Sequence, residues 1–331
     1  MQGLLGYVVQ RLLWLPVVII VVSFLAFTIT RFGPGDPISV LGQNYRDDEV
    51  FERVRKERGL DKPFYEQYYI YMRDVLHGDF GESVSIYRGV EVWDIIWPRM
   101  LVSIQPGIVA LVIAFSLGTA VGVFSALRQG TWMDPFAIGG FLLLQSIPVL
   151  VSLPFLVLIF VLKLGLLPAT GWGGPSVDVG PQEIALGIFS KHIILPALAL
   201  SLPGVAGIAR LVRATTLAVL GEDYVRTARA KGLPELAVVG RHVVRNSLLP
   251  LVTVVGLSLV ALIEGAFFTE TILGIPGIGE LGYRAATSRD YDVILALVLI
   301  IAFAFVVANL VIDIAYTFID PRVRYERGSG R

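Results

Sequence analysis

The chain has 331 residues, of which 55% are hydrophobic and only 16% are charged. Basic and acidic residues number 27 each, so no overall positive charge points to nucleic acid as a partner. The absence of cysteine excludes disulfides, thiolate metal sites and a cysteine nucleophile. The histidines stand far apart, at positions 77, 192 and 242, so we expect no metal site in this chain.

Apolar runs long enough to cross a bilayer recur along the chain. They predict an all-α polytopic membrane protein with six transmembrane helices, and the first span is too long for the core of a signal peptide. We place the spans near 7–30, 101–127, 135–162, 192–215, 248–269 and 291–318. Lysine and arginine collect in the short loops of one side, which predicts that both termini lie in the cytoplasm.

The segment between the first two spans is polar and begins at a breaker cluster, Gly33 to Pro37. Its tyrosines at 65, 68, 69 and 71 predict an amphipathic helix at the headgroup boundary, and the alternative is a contact surface for an external partner. We therefore divide the chain into 1–97, a transmembrane helix with an extracytoplasmic amphipathic segment, and 98–331, a core of five helices with a loop at 217–247.

Small residues and prolines inside the spans indicate how the helices pack. Gly118 and Gly122 form a small-xxx-small pair that favours close helix contact, and Gly204 and Gly207 suggest a second such contact. Prolines at membrane depth are tolerated against protein or a water-filled cavity. Pro148 and Pro203 are accordingly predicted to lie on helices that line a path.

Glu264 is the one carboxylate that we place well inside a span, where a charge is costly. It either lines the path or holds neighbouring helices together. The sequence carries no phosphate-binding loop and no serine with a nearby histidine, and Gly277-x-Gly279-x-x-Gly282 lacks the preceding strand of a dinucleotide site. We therefore expect a chain that is not an enzyme and binds no cofactor or metal itself.

The charged stretch from Gly221 to Asn246 lies between two apolar runs and predicts a helix-turn-helix at the membrane surface. Glu222 and Asp223 suit the start of its first helix, and Gly232 suits a left-handed cap at its end. Pro234 suits the first turn of the second helix. Tyr224 and Ala228 share one stripe of the first helix, which we interpret as part of a docking element.

Asp223 to Leu233, DYVRTARAKGL, resembles the cytoplasmic coupling loop of ABC-importer permeases, and specifically of the dipeptide, oligopeptide, nickel and glutathione uptake family. Arg226 occupies the position of the glutamate in the general "EAA" pattern, a departure common in the peptide subfamily. Further similar motifs are GPGDP from Gly33, LGLLPATGW from Leu164 and IDPRVR from Ile319. The resemblance covers nearly the whole chain and is closest to the B-type permease subunit.

The resemblance implies a type I ABC-importer permease fold with a cytoplasmic coupling helix, in the prokaryotic plasma (inner) membrane. It implies a paralogous permease as partner, two ATPase subunits that bind ATP and Mg, and an extracytoplasmic binding protein. Coupling to the ATPases is assigned to Asp223, Tyr224, Arg226, Thr227, Ala228, Arg229, Ala230, Lys231, Gly232 and Leu233.

Peptides are the substrate that this resemblance favours, with nickel, haem or glutathione as alternatives within the family. An ATP-independent channel or secondary transporter is a second alternative, but the paired intramembrane charges and inverted repeats typical of that class are not evident. An intramembrane hydrolase is a third alternative, and it lacks a nucleophile with a base.

Overall fold

The computed structural model describes residues 2–32, 48–57, 59–173, 187–248, 251, 254, 258 and 267–319. Within these ranges the chain is helical, and its only β-type pairing is an isolated antiparallel bridge between Glu82 and Glu91. The expected all-α class is therefore confirmed.

Twelve helices are named here in chain order. They are α1 (Gln2–Phe32), α2 (Asp48–Glu57), α3 (Phe64–Leu76), α4 (Val92–Leu127), α5 (Met133–Gln145), α6 (Val149–Leu156), α7 (Ile194–Leu220), α8 (Asp223–Ala230), α9 (Glu235–Ala237), α10 (Phe267–Leu273), α11 (Ile278–Ser288) and α12 (Tyr291–Ile319). A π-helical turn at Val157–Lys163 extends α6, and another at Val238–Val244 extends α9 as far as a last helical segment, Arg245–Ser247.

Four helices in the described part are long and apolar enough to cross a membrane: Leu13–Phe32, Val92–Leu127, Lys191–Leu220 and Tyr291–Val311. They correspond to the first, second, fourth and sixth predicted spans. The second begins at Val92 rather than at 101, and the fourth continues to Leu220 rather than stopping at 215. Most of the fifth predicted span lies outside the described residues, so the count of six remains a prediction.

The third predicted span, 135–162, is wrong as a single helix. Helix α5 ends at Gln145, and α6 begins at Val149 with Pro148 as its N-cap. Proline disfavours the α conformation at the residue before it and offers no N–H to the preceding turn. The segment therefore consists of two shorter apolar helices joined at Ser146–Pro148.

The chain forms two compact units, residues 1–100 with 277–331, and residues 101–276. In the first unit α1 packs along α12, and α3 packs on α1 through aromatic rings. Phe27 is fully buried and lies 5.5 Å, centroid to centroid, from both Tyr68 and Tyr71. The hydroxyl of Tyr68 lies 2.8 Å from Ser23 Oγ. One face of the predicted amphipathic helix is thus bound to the first span, while Tyr65 and Tyr69 are exposed.

Asp290, which the sequence did not single out, organises the loop before α4 in the same unit. Its fully buried carboxylate accepts hydrogen bonds from Ser83 Oγ at 2.5 Å and from the backbone N–H groups of Ser85 and Ile86 at 3.0 Å each. Val84 N–H donates to the other oxygen at 3.2 Å. Several donors on one carboxylate offset the cost of burying its charge.

In the second unit α4 and α7 meet at glycine, as the small-residue pattern predicted. A Cβ on Gly118 would lie 2.7 Å from Ile208 Cγ2, and a Cβ on Gly122 would lie 2.6 Å from the carbonyl oxygen of Ala209. The expectation for α7 was half right. A Cβ on Gly204 would lie 3.0 Å from Ala114 Cβ, whereas nothing lies within 4 Å of one on Gly207.

Replacing Gly122 by alanine should therefore separate α4 from α7. The added methyl meets the Ala209 carbonyl oxygen at 2.6 Å and Val212 Cβ at 2.7 Å, neither of which is the end of a flexible side chain, and overpacking of this kind costs about 1–3 kcal/mol. We expect Gly122→Ala to lower the midpoint of thermal unfolding in detergent. Gly207→Ala is the matched control, because open space and the better helix propensity of alanine should leave that midpoint unchanged or raised. Equal midpoints for the two variants would contradict the close contact.

Candidate functional site

The predicted docking element is a small folded unit of its own, which we call the coupling element, residues 222–247. Helix α8 follows the extended N-cap residue Glu222, and Asp223 stands in its first turn, where a negative charge is favoured. Val225 and Ala228 are its buried residues. Of the two residues on the predicted stripe, Tyr224 is 42% exposed and Ala228 is buried.

Gly232 ends α8 in a Schellman turn. Its φ is +77°, which confirms the predicted left-handed conformation. Gly232 N–H donates to the carbonyl of Arg229 at 2.9 Å, and Leu233 N–H donates to the carbonyl of Ala228 at 3.4 Å. These two bonds satisfy carbonyl groups that the helix end leaves unpaired. No atom lies within 4 Å of a Cβ built on Gly232, so backbone conformation alone favours glycine here.

The chain then returns through Pro234, which is the extended N-cap residue of α9 rather than a residue of its first turn. Behind this turn the two arms of the element share a core. Its buried members are Val225, Ala228, Val238 and Val243, and Val219 and Leu220 of α7 pack against them. The element therefore has its own apolar core, continuous with the end of α7.

The outer face of the coupling element presents an apolar tip among charges. Leu236 is 88% exposed and Leu233 is 38% exposed. Beside them Arg229 holds Glu235 through two hydrogen bonds, Nη2 to Oε1 at 2.7 Å and Nε to Oε2 at 3.1 Å. The hydrogen-bonded Arg229 guanidinium lowers the pKa of the Glu235 carboxyl below its usual range.

A hydrogen bond also joins the coupling element to α7. Thr215 Oγ1, on α7, lies 3.0 Å from the carbonyl oxygen of Ser247, at the end of the element. Ser247 is buried. The element is thus held against α7 by this bond and by the packing of Val219 and Leu220.

Two of the three residues predicted to line a path lie in the described part of the chain, on separate elements. Pro148 is exposed at the break before α6, and Pro203 lies half-buried inside α7. Glu264 lies outside the described residues. Within those residues, no group of three or more histidine, aspartate or glutamate side chains is arranged to hold a metal ion.

Two contributors to the site were missed from the sequence. Leu236 was passed over because a single leucine in a polar loop carries no periodic signal. Arg213 fell within the predicted span 192–215 but was given no partner; it lies inside α7 and forms an ion pair with Asp134, with 2.6 Å between Nη2 and Oδ2. Two charged residues so far apart in sequence give no local signal of their pairing.

Known protein families and relatives match almost the whole chain. The family described as "Binding-protein-dependent transport system inner membrane component" matches residues 118–325, and the corresponding N-terminal family matches residues 4–99. The oligopeptide transport system permease protein OppB of Haemophilus influenzae is 35% identical over 97% of this chain and 100% of its own length. The dipeptide transport system permease protein DppB of Escherichia coli K12 is 33% identical over 98% and 100%. The probable peptide ABC transporter permease protein y4tP of Sinorhizobium fredii is 34% identical over 96% and 99%.

The Schellman turn gives a structural prediction. Gly232→Val should strain the coupling element by about 1–2 kcal/mol, because a branched residue pays the left-handed penalty. Local opening should then increase, and trypsin should cleave after Lys231 roughly tenfold faster in the detergent-solubilised protein. Gly240→Val is the control, since Gly240 is exposed, has no positive φ and meets no atom within 4 Å. Gly232→Asn should remain close to the parent protein because asparagine tolerates this conformation. Equal cleavage of the two valine variants would refute the prediction.

Proposed function

Because the chain belongs to the family of inner membrane components of binding-protein-dependent transport systems, we propose that it is the B-type permease subunit of an ATP-driven peptide importer. The protein is a multi-pass permease of the inner membrane. Peptide as the substrate class is supported by the relatives, whose names specify dipeptide, oligopeptide or peptide transport. Nickel, haem and glutathione are the alternatives that a transport assay would separate.

The proposed partners follow from the same membership. A paralogous permease completes the membrane pathway, two cytoplasmic ATPase subunits bind ATP and Mg, and an extracytoplasmic binding protein delivers the substrate. This chain contributes no chemistry of its own. Pro148, Pro203 and Glu264 are proposed to face the pathway, with helix contact as the other role open to Glu264.

The structure of the coupling element is the main support for a role in coupling to the ATPase subunits. It has an apolar core of its own, a tip where Leu236 and Leu233 are exposed to solvent, and a hydrogen bond to α7. Contiguous exposed apolar residues rimmed by charges are typical of a surface that a partner protein covers, and Leu233 and Leu236 lie three positions apart beside the Arg229–Glu235 pair. We propose that the ATPase subunits bind this tip and displace the element as a rigid body, which moves α7 and changes the side from which the pathway is open.

The docking role of Leu236 can be tested directly. Leu236→Ser should reduce co-purification of the ATPase subunits with the permease pair, and substrate-stimulated ATP hydrolysis should fall with it. Leu76→Ser is a matched control, because Leu76 is 81% exposed but lies at the end of α3, far along the chain from the element. If the two variants retained the ATPase subunits equally well, the tip would not be the docking surface.

We propose that both termini lie in the cytoplasm, because arginine is in excess in the short loops of one side. Cysteine labelling tests this orientation. The protein contains no cysteine, so single cysteines give a clean signal. We expect cysteines at Ser176 and Ser288 to react with an impermeant maleimide in intact cells. Cysteines at Thr131 and Gly240 should react only after the membrane is opened. Labelling of position 240 in intact cells would overturn the topology.

A further inference from the structure

A buried carboxylate joins three helices of the second unit. Asp134, in the first turn of α5, is 7% exposed. Arg213 of α7 donates to both of its oxygens, Nε to Oδ1 at 2.7 Å and Nη2 to Oδ2 at 2.6 Å. The hydroxyl of Ser125, fully buried near the end of α4, donates to Oδ1 as well. Three donors from two other helices therefore converge on one carboxylate.

The form of this contact makes it a rigid link. A bidentate pair between guanidinium and carboxylate fixes orientation as well as distance. Separating the partners would leave a charge with little water around it, so the pair is expected to stay closed while α5 and α7 remain packed. A hydroxyl in place of the guanidinium would form a single hydrogen bond, which would fix the distance between the two side chains but not their orientation.

The ion pair lies next to the coupling element along α7. Val219 and Leu220, which pack on the core of that element, follow Arg213 within about two helical turns. Thr215, whose hydroxyl lies 3.0 Å from the Ser247 carbonyl oxygen, falls between them in sequence. The same short stretch of α7 thus contacts the element on one side and Asp134 on the other.

Helix α5 is tied to α7 at its other end too, where Arg210 Nη2 lies 3.3 Å from Gln145 Oε1. Gln145 is the last residue of α5, and Ser146 N–H still donates to the Leu142 carbonyl at 3.1 Å before α6 begins after Pro148. Helix α5 is thus held at both ends to the second half of α7, whereas Leu153 of α6 shares a buried cluster with Leu195 and Ala199 near the start of α7.

We infer that Ser125, Asp134 and Arg213 form a latch that makes α5 move with α7 and the coupling element during transport, the third apolar segment bending at Ser146–Pro148. This inference rests on the proposed function, because it requires the ATPases to displace the coupling element. Asp134 and Arg213 act here as positioning residues. They transmit displacement into the membrane and touch no substrate.

The test uses Asp134→Asn in the complete transporter, reconstituted in proteoliposomes with its binding protein and a labelled tripeptide. The amide keeps the shape of the side chain and one acceptor oxygen but loses the charge and the bidentate pair. We expect assembly and substrate-stimulated ATP hydrolysis to persist, and peptide taken up per ATP hydrolysed to fall about tenfold, because hydrogen bonds between charged groups are the stronger ones. Glu52→Gln, at an exposed ion pair with Arg55, is the control that should leave this ratio unchanged.

A second variant covers the case in which Asp134→Asn fails to assemble. In a complex whose other subunits lack cysteine, Asp134→Cys with Arg213→Cys should be uncoupled until a short bis-methanethiosulfonate reagent joins the two thiols, and coupling should then recover. Parental uptake per ATP in Asp134→Asn, or no recovery after crosslinking, would overturn the latch. Leu236→Ser in the same assay distinguishes failure of the latch from failure of the docking proposal, because it should reduce ATPase docking, whereas the latch variants should keep it.

Discussion

The proposed role of the coupling element depends on one interaction, the burial of Val225 and Ala228 against Val238 and Val243. A polar loop between two membrane spans would ordinarily be mobile and unable to pass a force. Each valine taken out of water contributes roughly 1.5–3 kcal/mol, enough for a short helical pair to keep its shape when its core continues into α7. The left-handed turn at Gly232 brings the second arm back over the first and makes that burial possible.

Directional contacts connect the coupling element to α7, and α7 to α5. The hydrogen bond from Thr215 to the Ser247 carbonyl and the ion pair of Arg213 with Asp134 both lie on the last turns of α7. Earlier in the sequence of α7, the glycines of α4 let the backbones of α4 and α7 approach closely. In a membrane, lipid tails are as apolar as leucine side chains, so apolar packing alone hardly favours one arrangement of the helices over another. Small residues and polar pairs therefore define how these helices pack.

Much of this could be predicted from the sequence where the cause is local. The left-handed turn at Gly232 and the close contact at Gly122 follow from residue type and spacing. Other features were not predicted. The span at 135–162 was given as one run, but Pro148 divides it into α5 and α6. Which residues of α8 are buried depends on tertiary packing, which places Val225 and Ala228 in the core. Pairs distant in sequence, such as Asp134 with Arg213, carry no local signal at all.

If the coupling element, α7 and α5 move as one body, distances between spin labels will show it. Labels on cysteines at Thr131, Gly240 and Phe155 would report the loop just before α5, the coupling element and α6, all at exposed positions. Double electron–electron resonance would compare the nucleotide-free and ATP-trapped complexes. We expect the distance between 131 and 240 to stay unchanged and the distance between 240 and 155 to change. A change between 131 and 240 on ATP binding would show that the two elements do not move together.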